Sequence, residues 1–404
     1  MTALPLSRVA PAPLAAPPAA EPVALLQLSE DTADAASAVY REVRRGRRVV
    51  AVVAGGDGAV RRLADALDAI GVPAVTPAAG EALLHDVVTL VEGPDRVPAR
   101  PSATAVGPLR VALAGCGVVG GGLLPRLLAD PRFEVVGVLV RDPRKRRDVT
   151  VPDGLLLVDP AALLAREPDV LVEAISDAST GLALIRAALS RSIDVVSANK
   201  QAIGGDLSAL TALACAGGAR LLYSASVGGG APLIETVRRA RAHGPVARIE
   251  AVLNGTCNFI LNRLAAGQTF DEALEEARAA GFAEADPSAD LTGLDAAAKL
   301  AILAHEAADE RLPVEAVVRE SLSGVSVLPA GPVRQIARLE PGRGAASVTF
   351  EAAGDDLLLA GLVDEGNAIR VVTADGRRFT ASGRGAGRIP TTESVWADLA
   401  DLLR

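Results

Sequence analysis

The chain reads as an α/β protein: a doubly wound, Rossmann-type domain joined to a second, α+β domain, with a small α/β segment in front of both. Three observations predict this. Between residue 107 and about residue 230, apolar strand-like runs alternate with helical periodicity, the pattern of a mostly parallel sheet covered on both faces. The first of those runs, in "LRVALAGCGVVGGGLLPRLLAD", leads directly into Gly115, Gly117 and Gly120 and then a helix. From about residue 240 the pattern changes to isolated strands, two helical stretches and several short strands divided by turns.

Taken in order, residues 1–22 are expected to be a disordered tail, because repeated prolines break the apolar run that a secretory leader needs. Residues 23–93 form the small α/β segment: an apolar run at Val23–Leu28, helical periodicity over 33–45, a strand in "RRVVAVVAGGDG" and a second helical stretch over 59–70. A polar, proline-punctuated linker covers 94–106. The domain at 107–238 continues with "FEVVGVLVR", "DVLVEAI", "IDVVSANK" and "ARLLYSAS" as buried strands, and with a helix over 180–190. The domain at 239–380 holds a strand in "ARIEAVLNG", helices over 271–280 and 295–308, and short strands between 346 and 380 with turns at "AGDD", "DEGN" and "ADGR". A glycine loop and a closing helix occupy 381–404.

Composition narrows the function. Half of the 404 residues are apolar but only 2% are aromatic, so the core is built from Ala, Val and Leu, with few rings to stack on bases. With 41 basic against 49 acidic residues there is no basic footprint, and nucleic acid is not an expected partner. No uninterrupted apolar stretch is long enough to span a bilayer, so no membrane role is expected. Cys116, Cys215 and Cys257 are odd in number and never form a CxxC pair, which suggests neither a disulfide framework nor a zinc site and makes a reducing cytoplasm the expected compartment. A small-molecule substrate fits best. Only three histidines occur, so proton chemistry is expected from lysine and carboxylates.

Between a strand and a helix, Gly115 permits a tight turn, Gly117 lets the backbone approach a pyrophosphate and Gly120 allows close helix packing, with Val118 and Val119 opening the helix. A structural turn has the same letters, but this context favours a dinucleotide. Where an NAD site usually has an acid for the ribose 2'-hydroxyl, the chain offers "VRDPRKRRD", with Arg141, Arg144, Lys145, Arg146 and Arg147. These would hold a 2'-phosphate, so NADP is the expected coenzyme; Asp142 leaves NAD open, and a solvated basic turn is the plainer alternative. "VSANK" ends a strand, which puts Asn199 and Lys200 at the carboxyl edge of the sheet, where open α/β folds bind ligands. In "EADPSADLTGLDAAAK", Glu284, Asp286, Asp290 and Asp295 precede Lys299. Asp295 and Lys299 share a helix face, which in isolation reads as a structural salt bridge. Asp290 could cap a helix, and the acids lack the spacing of a calcium loop.

Together these segments resemble homoserine dehydrogenases. "GCGVVGGG", "VSANK", "YSASVGGGAPLIETV", "VLNGTCNFIL", "GFAEADPSADLTGLDAAAKLAILA" and "GRGAGRIPTTESVWAD" stand in the family's order over about residues 107–404, and the stretch at 281–304 is the most specific. The resemblance implies NAD(P)H-linked interconversion of L-aspartate 4-semialdehyde and L-homoserine, in threonine, methionine and isoleucine biosynthesis. It also implies that the second domain is catalytic and dimerising, hence a homodimer or higher homo-oligomer. By motif position, Lys299 is the proton donor, Asp295 orients it, Lys200 contacts nicotinamide ribose and substrate, and Glu284 with Asp290 holds the substrate amino group. Around the coenzyme the resemblance places Gly115, Gly117, Val118, Val119, Gly120, Arg141, Lys145, Ser176, Lys200 and Gly387, and it returns the last helix to the nucleotide domain. Elementary chemistry agrees: hydride delivery to an aldehyde builds negative charge on oxygen, which an ammonium stabilises and protonates.

Three departures stand out. The family's glutamate after the tyrosine of "YSASVGGG", which helps bind a monovalent cation, is Ser224 here, leaving carbonyls of Val227, Gly229 and Ala231 as candidate ligands for Na+ or K+. The sequence stops at the closing helix, so feedback by threonine through an additional C-terminal domain is not expected. The run "VYREVRRGRRVVAVVAGGDGAVRRLADAL" resembles part of an aspartokinase domain, yet "LLQLSED" replaces the phosphate-binding Lys-Phe-Gly-Gly entry, and phosphoryl transfer is not expected. Two other readings remain: a silent dinucleotide-binding regulatory subunit, and another NADP-linked dehydrogenase of amino or keto acids.

Overall fold

In the leading segment, strand β1 (Val23–Leu28) pairs in parallel with β2 (Arg48–Val53), and β2 pairs in parallel with the two-residue β3 (Ala74–Val75). The computed structural model describes residues 23–28, 48–53, 74–75, 107–284, 286–323, 331–354, 356–385 and 387–403. The helical stretches expected at 33–45 and 59–70, the tail at 1–22 and the linker at 94–106 lie outside the described residues.

The nucleotide domain is a six-stranded parallel sheet. Its strands are β4 (Leu109–Ala114), β5 (Phe133–Leu139), β6 (Leu156–Leu157), β7 (Val170–Glu173), β8 (Asp194–Ser197) and β9 (Leu221–Leu222), in the order β6-β5-β4-β7-β8-β9. Counted from β4 this is 3-2-1-4-5-6, so the winding reverses between β4 and β7 and their carboxyl ends frame a crevice. Residues Val111 to Ala114 are 0% exposed, as a strand covered on both faces requires. The period of two divides them between layers. Val111 and Leu113 join Leu123, Leu124 and Leu127 of α1 (Val118–Ala129), whereas Ala112 and Ala114 join a cluster that includes Leu163 of α2 (Pro160–Leu164) and Ile185 and Leu189 of α3 (Ala178–Leu189). Beyond β8 come α4 (Lys200–Gly204) and α5 (Leu207–Gly217).

The second sheet contains β10 (Val246–Val252), β11 (Val318–Arg319), β12 (Val333–Glu340), β13 (Ala345–Ala352), β14 (Gly366–Thr373) and β15 (Arg378–Arg384), in the order β11-β13-β12-β10-β14-β15. All its pairings are antiparallel except that of β11 with β13. Helix α6 (Leu233–His243) packs on it, and α7 (Gly255–Ala265) and α8 (Phe270–Ala279) form a satellite core through Phe259, Ile260, Ala273 and Ala277. After the short α9 (Ser288–Leu291), α10 (Leu294–Ala308) runs between the two domains. Its Ala297, Leu300, Ala301 and Ala304 share one cluster with Ile203 and Leu210 on the nucleotide side and Ile249 and Leu339 on the sheet. A helix apolar nearly all round is a buried one, and α10 buries 11 of its 15 residues.

The structure departs from the expected boundaries at two places. Helix α6 runs through residue 238 and presents Leu233, Ile234 and Val237 to the second sheet, so the junction lies before it. Strand β15 extends to Arg384, past residue 380, because its inward positions include Phe379, Ala381 and Gly383, and small residues conceal an alternating pattern. Strand β12 and helix α7 have weak sequence signals for the same kind of reason: β12 buries Arg334 and Gln335, and α7 opens with the polar "GTCN".

After α11 (Leu357–Ala360), the last helix, α12 (Arg388–Leu402), returns to the nucleotide domain. Val395, Trp396, Leu399 and Leu402 enter the cluster of Val111 and Leu113, Trp396 meets Phe133 at 5.2 Å between ring centroids, and Arg126 pairs with Glu393 at 2.6 Å. A Cβ on Gly122 would stand 2.7 Å from Thr392 Oγ1, so the glycine run of α1 is what lets α12 approach.

Candidate active site

A cleft of about 1200 Å³ opens at the carboxyl ends of β4, β5 and β7. The three glycines of its turn do three different things. Gly115 has φ +99°, and a Cβ there would lie 2.5 Å from the Ala174 carbonyl oxygen. On Gly120 a Cβ would lie 2.0 Å from the Gly115 carbonyl oxygen, so this glycine seats α1 against the turn. Gly117 has nothing within 4 Å and faces the open cleft, where a phosphate can approach the helix N-terminus. These residues fit a dinucleotide.

Gly115, Gly117, Val118, Val119, Arg141, Lys145, Ser176 and Lys200 line the cleft. Asp142 lines the cleft as well and accepts the Arg144 amide on one carboxyl oxygen at 2.8 Å. Arg147 likewise binds its loop, donating to the carbonyls of Lys145 at 2.7 Å and Asp142 at 2.5 Å. Next to Ser176, Asp177 caps α3 through the Thr180 amide at 2.7 Å, and bonds from Thr180 and Ser179 hold its carboxyl below the usual range. Gly387, at φ +115°, turns the chain into α12, and from that side Arg388 and Thr391 line the cleft. Sequence patterns did not single out either residue, since an arginine or threonine in a first helical turn carries no signal of its own.

At the domain junction the structure assembles the charged residues. Asp295 Oδ2 meets Lys299 Nζ at 2.8 Å, and Asp295 Oδ1 meets Lys200 Nζ at 2.8 Å. Lys299 Nζ also donates to the Leu253 carbonyl at 2.6 Å. Asn254 Nδ2 donates to Asp295 at 2.9 Å and to Asp290 at 2.6 Å. Asp295 is 8% exposed and Lys299 9%. Burial alone would raise the Asp295 carboxyl, but the Lys299 and Lys200 ammonium groups outweigh it and hold that carboxyl well below the usual range. For Lys200, burial pulls the ammonium down and Asp295, with Asp290 and Glu284 behind it, pulls it up further, so the net direction is upward. Asp290 is pushed above the usual range by burial and then by the Asp295 charge, against the Asn254 bond.

The i, i+4 spacing therefore placed Asp295 beside Lys299, while Lys200, from the other domain, is the second cation on the same carboxylate. Glu284 is exposed and lines the cleft. Asp286 is exposed and accepts the Ser288 amide at 3.1 Å. Asn254 is a residue that sequence patterning did not assign; it lies in "VLNGTCNFIL", where its Oδ1 caps α7 through the Cys257 amide at 2.8 Å. His305 sits 3.4 Å from Ser208 Oγ and takes no part in this cluster.

In the turn before α6, Ser224 donates its hydroxyl to Asp398 of α12 at 2.8 Å and its amide at 3.0 Å. The carbonyl of Ala231 accepts the Leu233 amide at 2.8 Å, and Val227 and Ala231 are buried. No group of three or more His, Cys, Asp or Glu side chains suited to a metal ion occurs among the described residues.

A dinucleotide-type strand order, a glycine turn open to the cleft and a cleft lysine, Lys200, that shares buried Asp295 with Lys299 define an NAD(P)-dependent oxidoreductase acting on a CH–OH group. The homoserine dehydrogenase family model matches residues 232–400, and that for the homoserine dehydrogenase NAD binding domain matches 115–224. The chain belongs to the homoserine dehydrogenase family. It is 31% identical over 319 residues to the homoserine dehydrogenase of Synechocystis sp., covering 73% of each chain. Against that of Corynebacterium glutamicum it is 32% identical over 346 residues, 78% of this chain and 76% of the relative. A solved structure of a hyperthermophilic archaeal homoserine dehydrogenase in complex with NADPH aligns with a TM-score of 0.65 at 26% identity, over 72% of this chain and 97% of that one. Neither family match reaches the leading segment.

Proposed function

We propose that the enzyme interconverts L-aspartate 4-semialdehyde and L-homoserine with Lys299 as the proton donor. The observation that carries this reading is the pair of lysines bridged by buried Asp295, of which Lys200 lines the coenzyme cleft. The Gly115–Val119 turn, Arg141 and Lys145 would hold the dinucleotide, whose chemistry when bound would be hydride transfer. Lys299 meets the carbonyl oxygen as negative charge builds there, stabilises it and hands over a proton, giving the alcohol. Asp295 and the Leu253 carbonyl fix the position of Lys299. Asp290 and Glu284 take the substrate ammonium, and Lys200 spans ribose and substrate.

Arg141 and Lys145 in the cleft support NADP, while Asp142 beside them keeps NAD open. A monovalent cation would rest on backbone carbonyls such as those of Val227 and Gly229, with Ser224 engaged by Asp398. The three cysteines are free thiols, which supports a cytoplasmic setting. A homodimer or higher homo-oligomer is what the resemblance implies, testable by light scattering. The decisive experiment is NADPH oxidation with aspartate semialdehyde, with and without sodium or potassium. Lys299→Ala is expected to lower kcat about 100- to 10,000-fold while coenzyme binding stays within about threefold; retained turnover would overturn the assignment.

A further inference from the structure

Among the buried acids that the mechanism does not use, Glu173 stands at the edge of the coenzyme cleft. Glu173, the last residue of β7, is 0% exposed and accepts from three donors on two loops. Its Oε1 takes the Ile175 amide at 2.9 Å and Asn199 Nδ2 at 3.3 Å, and its Oε2 takes the Ser197 hydroxyl at 2.6 Å. Ser197 Oγ in turn accepts the Asn199 amide at 3.1 Å, and Asn199 Nδ2 also donates to the Ile175 carbonyl at 2.9 Å. Asn199 Oδ1 then caps α4 through the Ala202 amide at 3.0 Å. The first residue of α4 is Lys200. One carboxylate thus ties the Ile175–Ser176 wall of the coenzyme cleft to the turn that delivers Lys200 to Asp295.

Such an acid is costly to bury, and three donors aimed at it offset that cost only while the two loops keep this arrangement. The surroundings leave no slack: a Cβ on Gly181 of α3 would stand 2.9 Å from both Glu173 Oε1 and Asn199 Nδ2. A pair of loops joined only through solvent would let Lys200 and the coenzyme wall shift independently.

We infer that Glu173 is a positioning residue that couples the coenzyme wall at Ile175–Ser176 to Lys200, setting the lysine's place relative to ribose and substrate. This rests on the role given to Lys200 above. Glutamine keeps the carbonyl that accepts from Ile175 and Asn199 and reverses the bond to Ser197, its amide donating to Oγ, so both loops stay tied; alanine keeps neither.

The test is steady-state kinetics of Glu173→Ala, Glu173→Gln, Lys200→Ala and the Glu173→Ala/Lys200→Ala double variant, each checked for folding by circular dichroism. Glu173→Ala is expected to lower kcat/KM about 10- to 100-fold and raise the KM for coenzyme, Glu173→Gln to stay within about threefold of the parent, and the double variant to be no worse than Lys200→Ala. Should Glu173→Ala fail to fold, Asn199→Ser keeps an oxygen to cap α4 but removes the amide bonds to Glu173 and Ile175, and it is expected to reproduce the kinetic loss. Effects that multiply in the double variant, or a fall in Tm with KM and kcat unchanged, would overturn the inference. If Lys200→Ala itself leaves both constants intact, the reading of Lys200 falls and takes this one with it; if Lys200→Ala is impaired while Glu173→Ala and Asn199→Ser are not, the coupling alone is refuted.

Discussion

Asp295 accepts from three groups on three elements: Lys299 on α10, Lys200 on α4 and Asn254 just before α7. A buried carboxylate between two ammonium groups is stable because each charge answers another, whereas any one of them alone would bear the full cost of desolvation. Asp290, close by, has the opposite balance. Its carboxyl lies above the usual range, so between the ordinary value and the raised one the folded chain binds more protons than the unfolded chain, and stability falls as pH rises through that window. A penalty therefore remains at neutral pH. Asp290→Asn is expected to remove it, raising Tm by about 2 °C, while losing the charge proposed above to hold the substrate ammonium and lowering kcat/KM for the semialdehyde about 10- to 100-fold. In the parent, KM for the semialdehyde should rise as pH falls through the Asp290 titration; in the variant it should be flat there. Calorimetry and a pH series of initial rates check both parts. The partnership of Asp295 with Lys299 was legible in their spacing, but Lys200 lies 95 residues earlier in the chain and nothing local to either segment joins them.

At the scale of the element, the glycine turn and α1 form one unit. The sequence signal there was strong because each glycine answers a separate steric demand, and the strand before and helix after are unambiguous. Gly120→Ala is the sharpest probe: its Cβ would meet a backbone oxygen, which cannot swing aside, so α1 must move away from the turn. A destabilisation of about 2–3 kcal/mol in urea unfolding and at least a tenfold loss of coenzyme affinity are expected, and unchanged affinity would show that the turn tolerates the shift. Strands β12 and β15 were harder to read. Arg334 is buried on β12 because its guanidinium finds the carbonyls of Leu359 at 3.0 Å and of Ala360 and Leu362 at 2.8 Å, a satisfaction that only the folded loop provides.

For the whole molecule, the last helix closes the nucleotide domain with residues far from it in sequence. Trp396 fills the space between Phe133 and Arg126, whose guanidinium lies 4.2 Å from the indole centroid. Trp396→Ala is expected to cost about 3–5 kcal/mol by cavity formation, read as a lower urea midpoint, and to weaken coenzyme binding because Arg388 and Thr391 on the same helix line the cleft. Loss of stability with coenzyme affinity intact would separate the helix's structural part from its place at the cleft.

The amino-acid sequence by itself determined the double winding, the dinucleotide turn, the acid–lysine helix and the family, because periodicity, glycine sterics and i, i+4 spacing are local properties of a chain. Tertiary structure alone decided that two lysines share one carboxylate, that Asn254 and Glu173 tie distant segments together, and which side chains of α12, a helix whose return the resemblance implied, fill the nucleotide domain. Such arrangements belong to the folded chain, because polar groups stripped of water, as on α10 buried between two domains, must find partners wherever the fold brings them.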